Sequence, residues 1–360
     1  MPPAPGTRVL ICDDSPLLRR VISDMLTDGG LTVVGEARDG IELVEKAVAL
    51  NPDVITLDVE MPRRNGLDGL RELMKVRPTP VIMVSSLTGK ASAATTAALA
   101  AGAVDVVEKP ALRLSPRSWG TTRDELVNKV RQAAGARVAA LKRTPHPATP
   151  GARLATLAGG ADGDLIIIAT STGGPRALHA VVPLLPSPLG AGVLIVQHMP
   201  VGFTKPLAAH LDERSKLTVR EAGTTDTIRP DTALVAPGGS HLEVTGIGKV
   251  RLSQAPPIGA LRPRADVTIE TAARHYRGKL TLIVLTGMGE DGLVGARAVK
   301  AAGGRILVEA EETCVVWGMP RSIEEAGLAN AVIPLDAMPL AITQATSARA
   351  GAAARSLAHS

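Results

Sequence analysis

The chain has 360 residues, enough for two domains of ordinary size. Apolar residues make up 45% and aromatics 1%, so both halves read as globular, with cores of Val, Ile, Leu, Met and Ala. The 40 Lys and Arg against 35 Asp and Glu leave a net charge of +5, with the arginines scattered and few aromatics to stack on bases. That composition argues against nucleic acid as a partner and suits an acidic protein surface at least as well.

Cys12 and Cys314 lie far apart and form no CxxC pair, which reads as two reduced core thiols in a reducing compartment. The opening Met1-Pro2-Pro3-Ala4-Pro5-Gly6 lacks the basic and apolar regions of a signal peptide. No apolar run approaches ~20 residues, so the expectation is a cytoplasmic protein that does not insert into membranes.

Arg8 to Cys12 reads as a buried strand ending on Asp13-Asp14. Ser15 and Pro16 then open a helix with Leu17, Leu18, Val21, Ile22, Met25 and Leu26 on one face. Strands follow at 31–34, 53–57, 80–84 and 103–107, and helices at 41–50, 66–76 and 91–101. The third strand also ends on a carboxylate, Asp58; the fourth ends on Ser85 and the fifth runs to Lys109-Pro110. Near-continuous apolar strands alternating with helices predict a parallel sheet covered on both faces. Ligands of such sheets bind beyond the carboxyl ends of the strands, where Asp13, Asp14, Asp58, Ser85 and Lys109 all fall. Three carboxylates at one edge repel one another unless a cation joins them, and an all-oxygen set suits Mg²⁺. Any one of these residues could be a solvated strand end; five together point to a site.

Residues 8–110 resemble a response-regulator receiver domain of two-component signalling, on Asp13-Asp14, Leu57-Asp58-Val59-Glu60-Met61-Pro62, Ser85 and Lys109-Pro110. The resemblance implies a flavodoxin-like (βα)5 fold with Asp58 as phosphoryl acceptor. Asp13, Asp14, Asp58 and the Glu60 backbone carbonyl would hold Mg²⁺, and Ser85 and Lys109 would contact the phosphoryl oxygens. One position departs: many receivers carry an aromatic three residues before the lysine, and here stands Val106.

An amphipathic helix is predicted over 122–141. The Pro-, Gly- and Thr-rich stretch 142–162 reads as a linker between domains at 7–141 and 163–347.

The second half opens on Leu165 to Ile168, a buried strand that runs into Ala169-Thr170-Ser171-Thr172-Gly173-Gly174-Pro175 and then a helix. Two readings of this turn stand side by side. Ser171 could be a nucleophile beside the N–H groups of a helix N-terminus, or the loop could cradle a phosphate. Further strands are predicted at 191–196, ending on Gln197-His198-Met199-Pro200, and at 280–285, ending on Thr286-Gly287-Met288-Gly289-Glu290-Asp291-Gly292. Between them lie a helix at 203–214, short strands, a hairpin at 241–252 and a helix at 266–275. A helix at 294–301, a strand at 305–308 and a helix near 336–346 follow. The expected fold is therefore α/β, a doubly wound, mostly parallel sheet with a β-hairpin. Its strand ends supply a serine, a histidine and a carboxylate, which together make a nucleophile, a base and an orienting acid. Asp266, at a helix start, reads as an N-cap. The order Ser, His, Asp and the Ala169 in the turn exclude the α/β-hydrolase superfamily.

The motifs Thr170–Pro175, Gln197–Pro200, Ala236-Pro237-Gly238-Gly239, Leu285–Gly292 and Val316-Trp317-Gly318-Met319-Pro320 resemble the CheB family of chemotaxis response-regulator protein-glutamate methylesterase/glutaminases. That resemblance implies Ser171 as nucleophile, His198 as general base and Asp291 as its carboxylate. The backbone N–H groups of Thr172 and Met288 would form the oxyanion hole, and the catalytic domain would need no cofactor. Implied partners are methyl-accepting chemoreceptors as substrate and a chemotaxis histidine kinase as phosphodonor. The unphosphorylated receiver would restrain the esterase. The alternatives are a phosphorylation-controlled binding module without catalysis, or a hydrolase serving another receptor-like pathway.

Overall fold

The computed structural model describes residues 6–86, 89–110, 120–136, 163–259, 261–276 and 280–346. The predicted linker at 142–162 and the last residues of the helix predicted to 141 lie outside them. The chain divides into two compact units, Met1–Lys142 and Arg143–Ser360.

The first unit alternates β1 (Arg8–Cys12), α1 (Pro16–Asp28), β2 (Thr32–Ala37), α2 (Gly40–Leu50), β3 (Val54–Leu57), α3 (Gly66–Val76), β4 (Val81–Ser85), α4 (Gly89–Ala100), β5 (Asp105–Glu108) and α5 (Gly120–Ala134). Its five strands pair in parallel in the order β2-β1-β3-β4-β5. α1 packs with α5, and α3 packs with α2 and α4. Every residue of β3 and β4 is buried, as expected where helices cover both faces. The helix starts carry local signals: Ser15 Oγ accepts Leu18 N–H at 3.3 Å ahead of Pro16, and Asp39 and Asn65 cap α2 and α3.

In the second unit β6 (Asp164–Thr170), α6 (Gly174–Val181), β7 (Ala191–Gln197), α7 (Thr204–Asp212), β8 (Thr218–Glu221) and β9 (Thr232–Val235) come first. The hairpin of β10 (His241–Gly246) and β11 (Lys249–Ser253) follows. Then come α8 (Ala265–His275), β12 (Leu280–Val284), α9 (Leu293–Ala301), β13 (Arg305–Glu309), α10 (Met319–Glu325), β14 (Ala331–Ile333) and a helix over 338–346. Seven strands pair in parallel in the order β14-β13-β12-β6-β7-β9-β8, and the hairpin forms a separate sheet. α8 packs against α9 and β10, and its Ile269, Ala272 and Ala273 join a core with Leu282, Val284, Val299, Ile306 and Ile323. Neither α10 nor β14 was predicted; both are short, and β14 gains its ladder only from β13.

Both sheets reverse direction beside their first strand. In the first unit the chain winds one way to β2 and the other way through β3; in the second, one way to β7 and the other through β12. Ligands of open parallel sheets bind in the crevice at such a switch point. Asp13-Asp14 follow β1 and Asp58 follows β3, while Ser171 follows β6 and Asp291 lies seven residues beyond β12.

Candidate functional site

At the first switch point Asp13, Asp14 and Asp58 bring carboxylate oxygens within 4.8 Å of one another; Asp13 and Asp58 are buried and Asp14 is exposed. Lys109 Nζ reaches Asp58 Oδ2 at 2.7 Å and Asp13 Oδ2 at 3.0 Å. Burial pushes the Asp58 carboxyl up to about 6, offset in part by Lys109 and reinforced by the Asp13 charge. The same carboxylates raise Lys109 against the pull of its own burial. Beyond the Lys109 ammonium, Asp13 Oδ2 has no partner among the described residues. Three carboxylates converging on one spot, with a single ammonium to offset them, fit a hard divalent cation. Ser85 is fully buried at the end of β4, and its carbonyl accepts the Lys109 N–H at 2.9 Å. Glu60 is exposed in the loop after β3, and Val106 is buried within β5.

The second site is built on β12, β6 and β7, three neighbouring strands. Ser171 follows β6 with its backbone pinned at both ends. Its N–H donates to Thr286 O at 3.1 Å, and its carbonyl accepts Gly174 N–H at 2.8 Å and Gln197 Nε2 at 3.0 Å. The bend into α6 falls on Gly173, whose φ of 82° favours glycine. Across from it stands Gly287, where an added Cβ would come within 2.9 Å of Ser171 Cβ. Only glycine permits that approach.

His198 is 7% exposed, and its Nε2 lies 2.7 Å from Asp291 Oδ2. Asp291 also accepts the N–H groups of Ala265 at 2.7 Å and Asp266 at 2.9 Å, with Arg264 Nε at 3.4 Å. Burial pushes this carboxyl up, but the His198 hydrogen bond and charge and the two N–H groups outweigh it and hold it well below the usual range. A carboxylate can only accept, so His198 Nε2 carries a proton in this bond, and in the neutral ring Nδ1 is the nitrogen that presents a lone pair. The nitrogen left free to accept a proton is therefore Nδ1. No hydrogen bond joins Ser171 Oγ to that ring among the described residues, and such bonds often tighten only when substrate binds.

Thr172 is buried ahead of α6, and Met288 is half-exposed in the loop after β12. That loop is held by the segment around Trp317: Gly287 N–H donates to Val316 O at 3.0 Å, and Gly287 O accepts from Gly318 and Met319. This gives the Val316–Pro320 motif a physical role.

Three residues escaped the sequence reading. Thr286 ties the site together: its carbonyl accepts from Ser171 N–H and Thr170 Oγ1, and its hydroxyl donates to Thr172 O at 3.0 Å and accepts from Val316 N–H. Gln197 Nε2 joins the carbonyls of Ser171 and His198. Both stand in motifs already noted, but their partners lie on other strands. Asp266 needs correction. It lies inside the first turn of α8, whose cap position is Arg264, and its Oδ1 accepts Gly292 and Gly295 N–H at the start of α9. Of the other histidines, His241 is satisfied by Arg264 N–H and Pro256 O, and His275 is exposed.

A parallel sheet with an acidic switch-point cluster, joined in one chain to a second parallel sheet with Ser, His and Asp at its switch point, defines a receiver-regulated hydrolase. Comparison with known proteins agrees. A family described as response regulator receiver domain matches residues 9–114, and one described as CheB methylesterase matches residues 166–342. A protein-glutamate methylesterase/protein-glutamine glutaminase of Symbiobacterium thermophilum is 47% identical, over 94% of this chain and 96% of its own. One of Thermotoga maritima is 44% identical, over 92% and 96%. The crystal structure of the Thermotoga maritima CheB methylesterase catalytic domain is 43% identical, covering 51% of this chain and 99% of its own with a TM-score of 0.50. The chain belongs to the CheB family of protein-glutamate methylesterase/protein-glutamine glutaminases.

Proposed function

We propose that this chain hydrolyses glutamate γ-methyl esters, and deamidates glutamines, on the cytoplasmic helices of methyl-accepting chemoreceptors. The observation that carries this reading is the 2.7 Å bond between His198 and a deprotonated Asp291, one strand either side of Ser171. Ser171 Oγ attacks the ester carbonyl carbon while His198 Nδ1 takes its proton. The N–H groups of Thr172 and Met288 receive the oxyanion. Collapse breaks the C–O bond, and the imidazolium returns the proton to methoxide, which leaves as methanol. Water then attacks the acyl-enzyme with His198 again as base, freeing the glutamate carboxylate and Ser171. With glutamine as substrate the first leaving group is ammonia.

In the receiver, Asp58 takes a phosphoryl group from a chemotaxis histidine kinase, with Ser85 and Lys109 contacting its oxygens. Asp13, Asp14, Asp58 and the Glu60 carbonyl would hold Mg²⁺, which neutralises charge on phosphoryl oxygens when bound. Phosphorylation raises the esterase rate by shifting an equilibrium between restrained and active states, which needs only a few kcal/mol. A reaction on cytoplasmic receptor helices would set the protein in the cytoplasm. Among the described residues, no helix is long and apolar enough to cross a membrane.

The test is methanol release from methylated receptor membranes by the full chain, with and without a small phosphodonor. Ser171→Ala should abolish release, and Asp58→Asn should retain the basal rate without a response to phosphodonor. Absence of release, together with no phosphonate labelling of Ser171, would return the serine turn to anion binding.

A further inference from the structure

Glu309 ends β13, fully buried. Its Oε2 accepts Thr286 N–H at 2.8 Å, and its Oε1 has no hydrogen-bond partner among the described residues. The groups facing it are Arg176 from α6, Thr313 and Cys314 from the loop that follows, and the Thr286 peptide beyond β12. Burial pushes the carboxyl up to about 7, against the opposing pull of the Thr286 N–H, Thr313, Arg176 and Cys314. No step of the reaction above uses this carboxyl.

Its reach to the reacting groups runs through Thr286. That residue bonds the Ser171 N–H, the Thr172 carbonyl and the Val316 segment, and it precedes Gly287-Met288 directly. Glu309 thus braces, from the sheet side, the residue that clamps the nucleophile turn. Its charge matters as well. A buried carboxylate beside the strand end that offers an oxyanion donor opposes the negative charge developing there, and the dry surroundings screen it poorly. A neutral carboxyl keeps the acceptor for Thr286 N–H without that opposition.

We propose that Glu309 is a positioning residue for acyl transfer, bracing Ser171 and Thr172 through Thr286, and that its neutral form supports the faster reaction. The inference rests on the reading of Ser171 as nucleophile. Methanol release at saturating substrate then falls on the alkaline side as Glu309 ionises.

The experiment compares the full-length wild type with Glu309→Gln and Glu309→Leu between about pH 6 and about pH 9. It measures kcat and KM for methanol release and, separately, the rate at which a fluorophosphonate labels Ser171. Glu309→Gln keeps an acceptor and carries no charge. It should match wild type at the acid end and exceed it on the order of threefold to tenfold at the alkaline end. Glu309→Leu lacks the acceptor and should lose on the order of tenfold in kcat, with KM little changed. Circular dichroism melts check its fold; should it not fold, the glutamine variant carries the test. Superimposable pH profiles for wild type and Glu309→Gln overturn the proposal. A wild type that the phosphonate never labels removes Ser171 as nucleophile and this inference with it, whereas labelling with unaltered profiles removes this inference alone.

Discussion

Asp291 caps the helix that carries Asp266, and Asp266 caps the helix that follows Asp291. Asp291 accepts Ala265 and Asp266 N–H at the start of α8, while Asp266 Oδ1 accepts Gly292 N–H at 2.9 Å and Gly295 N–H at 2.8 Å at the start of α9. Each carboxylate sits where a helix N-terminus offers unpaired donors and a favourable dipole. Arg264 lies between them, 3.0 Å from Asp266 Oδ2 and 3.4 Å from Asp291 Oδ1. The carboxylate bonded to His198 is therefore fixed by two helices.

Removing the second carboxylate should loosen the first. Asp266→Ala strands two buried N–H groups and frees the Asp291–Gly292 turn, at a cost of about 2 kcal/mol in stability. Turnover should fall by about tenfold with KM little altered, while Asp266→Asn, which keeps one acceptor, recovers most of both. Thermal melts and steady-state methanol release check this. An unchanged kcat in the alanine variant would show that Asp266 holds helices only.

Asp291→Asn tests the orienting carboxylate itself. The amide is nearly isosteric but brings no negative charge to the imidazolium, so kcat should fall by about 10³-fold to 10⁴-fold. Labelling of Ser171 by a phosphonate should slow in parallel. A loss below about tenfold would remove Asp291 from the proton-transfer chain.

Mg²⁺ should stabilise the first unit, because it would bind a cluster that folding has brought together. At about 30 times its dissociation constant the gain is about 2 kcal/mol, read as an upward shift of that unit's melting transition. Asp13→Asn should weaken the shift. Lys109→Met should destabilise the metal-free protein by leaving Asp58 and Asp13 without their ammonium, and Mg²⁺ should restore part of the loss. A melting temperature indifferent to Mg²⁺ would count against the cation site.

His179 of α6 predicts how the second unit responds to acid. Its ring stands edge-on to His210 at 4.7 Å, and both its nitrogens lack partners among the described residues. Burial first, then His210 and Arg214, push it down to about 4. Between its ordinary value near 6.5 and about 4, the unfolded chain binds a proton that the folded one refuses. Stability is thus complete above about pH 6.5 and falls as pH drops, by roughly 3 kcal/mol in all. His179→Leu should flatten that dependence between about pH 7 and about pH 5. Equal slopes in the two proteins would refute the assignment.

The strands other than β14 were legible because each is a short apolar run closed by a polar or glycine signal, and the functional groups stand at those closures. Asp13, Asp58, Ser171 and His198 could all be placed at strand ends from the chain alone. Asp266 could not, because its position at a helix start suggests a local cap, while the donors it accepts lie 26 and 29 residues on. α10 and β14 stayed hidden because segments of 7 and 3 residues show no usable periodicity.

By itself the sequence determined the two alternating α/β halves, the carboxylate-bearing and serine-bearing edges, and the order Ser, His, Asp that sets this site apart from the α/β-hydrolases. Only the tertiary structure decided which nitrogen of His198 faces Asp291, that Asp291 and Asp266 share two helix starts, and that Glu309 accepts the N–H of Thr286, the residue that ties down the serine turn. These are contacts between strand ends and helix starts far apart in the chain. Strand order and sheet reversal create them, and no local pattern records either.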